Sequence, residues 1–90
     1  MIEGKTQSGF SFKIDEKKFR DARNIKMLAK IENNPILLPD VVEVFLGEEQ
    51  NEKLYAFIEK EMGYVDVERL GIIFNEIMVE VGKNNEEIKK

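Results

Sequence analysis

The clearest hydrophobic pattern lies near the C-terminal end of the chain. Val67, Leu70, Ile73, Phe74, Ile77 and Val81 recur at spacings of three and four, which predicts a helix from Val67 to about Val81 with one apolar face. Asp66 offers an N-cap and Gly82 a stop. Upstream, Leu54, Phe57 and Ile58 mark a second helical face, in an element opened by Glu48 and Glu49 and bounded by Gly47 and Gly63. Val41, Val42, Phe45 and Leu46 mark a third, shorter one. Pro39 suits its first turn, which leaves Ile36–Leu38 as a loose connection. Gly47 alone separates these last two helices, so the other elements are expected to pack around that corner.

The N-terminal part changes period. Phe10, Phe12 and Ile14 alternate with Ser11 and Lys13 after a Ser8-Gly9 turn signal, the pattern of a short strand with one apolar face. A lone strand leaves its backbone groups unpaired, so it needs Ile2–Lys5 as a hairpin partner or a strand from another copy. Asp15 then caps a helix running to about Ile31, before Asn34-Pro35 breaks it. Ala22, Ile25, Leu28, Ala29 and Ile31 build its apolar side, and Arg23, Lys26 and Lys30 form a basic stripe on another. The fold class expected is mainly α, a small bundle of about four helices with an N-terminal β-strand or hairpin. Residues 1–82 are read as one domain and 83–90 as a polar C-terminal tail.

Composition narrows the function classes. The 90 residues are 42% hydrophobic and 36% charged, which suits a folded soluble chain. No apolar run reaches membrane-spanning length and no apolar signal core follows Met1, so a cytoplasmic protein without membrane contact is expected. The absence of Cys and His removes thiolate and imidazole chemistry and the commonest metal ligands. Ser8 and Ser11 have no histidine to serve as base, and no glycine-rich phosphate loop or calcium-loop spacing occurs. Glu48, Glu49 and Glu52 read as helix-start and solvating charges, and Met27, Met62 and Met78 as core filler. No catalytic, metal or cofactor site is expected.

Charge is segregated within the net −4. Residues 13–30 carry seven basic and three acidic side chains, whereas residues 40–68 carry two basic and nine acidic. Such a distribution can orient a partner or pair protomers into a homo-oligomer. An acidic protein, or water alone, suits the basic stripe better than nucleic acid does, because the chain is acidic overall and has no recognisable reading helix. Some apolar residues also fall off the core faces. Ile72 and Val79 lie nearly opposite Leu70 and Ile77, and Leu37 and Val44 form a second edge on the preceding apolar helix.

Taken together, SGFSFKID, MLAKIE, LPDVVEVFLGEEQNEKLYAFI and GYVDVERLGIIFNEIMVEVG resemble the tail assembly chaperones of long-tailed (siphovirus-type) bacteriophages and prophages. The most telling piece is LGEEQ (Leu46–Gln50) after an apolar helix, with a glycine, a valine and a final helix following. The resemblance covers nearly the whole chain in layout. It implies a non-structural assembly factor in the cytoplasm of the bacterial host, which coats the apolar, helical tape measure protein, keeps it soluble and helps recruit tail tube subunits. Leu37, Val44, Ile72 and Val79 are the client surface expected here, with Arg23, Lys26 and Lys30 assisting electrostatically. The alternatives are a small phage regulator that binds nucleic acid through the basic helix, and a structural tail or connector subunit whose strand adds to a neighbour's sheet.

Overall fold

The computed structural model describes residues 1–84. Among them, two strands, β1 (Ile2–Lys5) and β2 (Ser11–Ile14), precede four α-helices: α1 (Ala22–Lys30), α2 (Leu38–Leu46), α3 (Glu48–Met62) and α4 (Val67–Asn84). The strands form an antiparallel hairpin in which Ile2 faces Ile14 and Gly4 faces Phe12. Its turn is closed by Gly9 N–H donating to the Thr6 carbonyl at 3.0 Å, with Gly9 at φ +99°. The hairpin is therefore completed within the chain. Gly4 lies under the Phe12 ring, where an added Cβ would stand 2.9 Å from Cζ.

The core combines one face of the hairpin with α2, α3 and α4. Ile2, Phe10, Phe12 and Ile14 from the hairpin meet Val41, Val42, Phe45 and Leu46 of α2 and Leu54 and Ile58 of α3. Leu70, Ile73, Phe74, Ile77 and Val81 complete it from α4. Phe45 stands between Phe19 and Phe74, at ring-centroid distances of 4.9 and 6.0 Å. Among the described residues two polar side chains are also buried, Thr6 and Asn51. The Thr6 hydroxyl accepts from the Phe10 N–H, whereas Asn51 Oδ1 has no hydrogen-bond partner among the described residues.

The glycine joints behave as their positions demand. Gly47 (φ +84°) separates α2 from α3 with no residue between, and Gly63 (φ +88°) ends α3. Asp66 Oδ2 accepts from the Arg69 N–H at the start of α4. The turn before α2 is a short 3₁₀ segment, Pro35–Leu37, and α2 begins one residue earlier than Pro39.

Four expectations are corrected. The single helix from Asp15 to Ile31 is two elements, a 3₁₀ turn (Glu16–Phe19) and α1, each with its own aspartate cap. Asp15 accepts from the Lys17 N–H and Asp21 from the Arg23 N–H, and the break between them lets Phe19 reach Phe45. Val67 is 55% exposed, because it stands at the first position of α4, before that helix meets the core. Met62, at the exposed end of α3, is not core filler either. Gly82 does not stop α4, which continues to Asn84. Its φ is not positive, and Lys83 reaches back to Glu80 at 3.6 Å. Of the polar tail, residues 85–90 lie outside the described residues.

Candidate partner-binding surface

A helix can present a surface to a partner only where its own fold leaves it uncovered. α1 packs on α2 rather than on α4. Between α1 and α4 an open groove of about 330 Å³ remains, lined by Leu28, Ile31 and Glu32 on one side and by Gly71, Phe74, Asn75 and Met78 on the other. Leu38, at the start of α2, also lines it. Gly71 sets its width locally, since a Cβ there would approach Leu38 Cδ2 to 3.3 Å. The groove is apolar along most of its length, so it can take the side chains of an amphipathic helix laid along it.

The residues expected to form the client surface fall into separate places. Leu37 is half-buried against the core and belongs mainly to the packing of α2. Val44 lines an open hollow of about 470 Å³ with Lys18, Met27, Asp40, Glu43, Gly47 and Glu48. Ile72 and Val79 are exposed on the side of α4 turned away from its buried row, and Val79 borders a hollow shared with Gln7, Asn75 and Glu80. Arg23, Lys26 and Lys30 are exposed on α1. Thus Ile72 pairs with Val79 and the three cations share one stripe, but Val44 and Leu37 do not join either group.

A polar cluster holds this frame in shape. Glu76 of α4 receives the Ser8 backbone N–H at 3.1 Å and the Ser8 hydroxyl at 2.8 Å. Arg69 donates through Nη2 to Ser8 Oγ at 3.2 Å and through Nε to Glu61 Oε1 at 2.7 Å. The hairpin turn, α4 and the end of α3 are thereby tied together by charge-assisted hydrogen bonds. Burial pushes the Glu76 carboxyl up. The two Ser8 hydrogen bonds, the Arg69 charge and the Thr6 hydroxyl outweigh this and hold it below the ordinary carboxylate value. The Glu61 hydrogen bond raises Arg69, and Tyr64 is raised by its hydrogen bond to Asp66.

Neither the groove nor the cluster is visible as a sequence motif. The groove's one local signal is Gly71, a glycine inside a strong helical pattern where no stop is needed. The Ser8–Glu76 pairing spans 68 residues and has no local signal. Among the described residues no group of three or more His, Cys, Asp or Glu could hold a metal ion, and no helix is long and apolar enough to cross a membrane. No family model matches the chain, and no curated protein or solved structure is found to be similar to it.

Proposed function

We propose that the protein is a non-catalytic, helix-binding chaperone of phage tail assembly. In this reading it covers apolar segments of the tape measure protein in the bacterial host's cytoplasm and helps bring tail tube subunits to it. The observation that carries the proposal is the open apolar groove between α1 and α4, lined by Leu28, Ile31, Leu38, Phe74 and Met78. An uncovered groove between two helices suits a helical client, because the client's side chains at one face can fill it. Ile72 and Val79, exposed on the neighbouring side of α4, extend the apolar area available to a long client.

The chemistry of the chain and its layout support the same reading. Without His or Cys, the chain lacks imidazole bases, thiolate nucleophiles and soft metal ligands, while its net −4 charge favours solubility of a complex with an apolar client. The tail-assembly assignment itself rests on the resemblance of the four sequence stretches described above. Co-expression with the tape measure-like protein encoded nearby tests it. More client in the soluble fraction, co-purifying with this chain, supports the proposal. A client that stays insoluble, or is soluble without help, overturns it.

A further inference from the structure

The outer face of α1 is not explained by the fold. From Ala22 to Lys30 the helix carries Arg23, Lys26 and Lys30 and no acidic residue. The acids that precede it are engaged elsewhere or at its start. Asp15 caps the 3₁₀ turn, Glu16 meets the N-terminal amine at 3.3 Å, and Asp21 caps α1 while lying 3.5 Å from Arg23 Nε. Lys26 and Lys30 have no ion-pair partner among the described residues. Helix stability accounts for Lys30 in the last turn, but Arg23 in the first turn stands against the helix dipole. No residue of α1 is fully buried, and Ile25, beside the cations, is 44% exposed.

We infer that this face docks an acidic amphipathic helix of a partner protein. Its carboxylates would meet Arg23, Lys26 and Lys30, and its apolar row would cover Ile25 and Ala29. The inference rests on the helix-binding reading above but concerns a different face from the groove. Charge complementarity selects an acidic partner, and the exposed isoleucine bordering the cations selects one with an apolar seam. A nucleic-acid backbone offers Ile25 no apolar surface to pack on. A lipid surface would need larger apolar side chains than the alanines here, on a helix longer than nine residues. A second copy fits less well, because the exposed face of α3, though acidic at Glu48, Glu52 and Glu59, offers only Ala56 and, at its C-terminal end, Met62 as apolar residues.

The test uses the full chain and fluorescein-labelled synthetic helices of about three heptads. One has a Leu/Ala seam bordered by glutamates, and the other has the same seam bordered by lysines. The expected result is preferential binding of the glutamate peptide, weakened at least tenfold by Arg23→Glu, Lys26→Glu and Lys30→Glu together and by raising salt. If the triple variant loses helicity, Lys26→Gln with Lys30→Gln makes the same test. Equal binding of both peptides, lost only on Leu28→Asp or Met78→Asp, overturns the α1 inference while leaving helix binding intact. Binding of neither peptide removes both. Tighter binding to a duplex oligonucleotide or to anionic vesicles than to the glutamate peptide also overturns it, as does protection of the face by self-association in sedimentation.

Discussion

α1 and α4 are both amphipathic helices, yet they are held by different means. α4 sends Leu70, Ile73, Phe74, Ile77 and Val81 into the core, each at most 4% exposed, and is tied to the hairpin through Glu76. α1 buries no residue fully. It rests on half-buried Met27, Leu28 and Ile31 and on one capping aspartate. The difference shows that an apolar stripe can anchor a helix or leave it half-covered, depending on how many neighbours reach it. In this molecule the well-anchored helix serves as scaffold, and the lightly docked one borders both surfaces read as functional.

Matched truncations break that comparison most severely. Ile77→Ala is expected to cost about 2–5 kcal/mol, a large part of the ~5–15 kcal/mol of a domain this size, whereas Leu28→Ala should cost only about 1 kcal/mol. Urea unfolding of both variants measures this, and equal losses would mean that α1 is as much part of the core as α4. Gly4→Ala comes next, at about 1–3 kcal/mol, because the added Cβ presses on a ring that the core holds in place. The same unfolding curve reads it.

Asp21→Ala removes the α1 cap and should cost about 1 kcal/mol. Its effect is expected to fall on α1 alone, so amide exchange should speed up across Ala22–Lys30 and stay unchanged in α4. Uniform acceleration would show that the two helices unfold together.

The Glu76 clamp gives the comparison a pH dependence. Its folded carboxyl is held below the ordinary value of 4.5, so the unfolded chain binds more protons in that region. The stabilisation is complete above about that pH and is lost as pH falls through the folded value. Glu76→Gln should therefore lower the melting temperature at neutral pH and flatten the acid side of its pH profile. An unchanged profile would mean the clamp carries no net stability. The smallest effect is expected for Lys26→Gln, within about 0.5 kcal/mol, since Lys26 is exposed and has no ion-pair partner among the described residues. A larger loss would assign the stripe a folding role instead of a binding one.

How far the sequence could be read follows from the range of the interactions. The strand with Phe10, Phe12 and Ile14, the joint at Gly47, the stop at Gly63 and the cap at Asp66 were all legible, because each depends on residues only a few positions apart. The break at Arg20–Asp21 was not. Asp15 and Asp21 are both good caps, and the choice to use both depends on Phe19 reaching Phe45 in α2. Of the expected client residues, Ile72 and Val79 lie exposed where helical winding puts them. Leu37 is drawn toward the core by neighbours the local pattern does not name.

By itself the sequence determined the helical regions and their order, the joints at Gly47 and Gly63, and the segregation of charge. Only the tertiary structure decided which part of α1's apolar arc turns inward. That arc extends from Ala22 to Ile31, wider than one contact can cover, and packing on α2 selects Met27, Leu28 and Ile31 while Ile25 and Ala29 stay outside. The α1–α4 groove and the Ser8–Glu76 clamp belong to the same class. Both come from segments far apart in the chain, whose meeting depends on the shape of the whole core and on no local pattern.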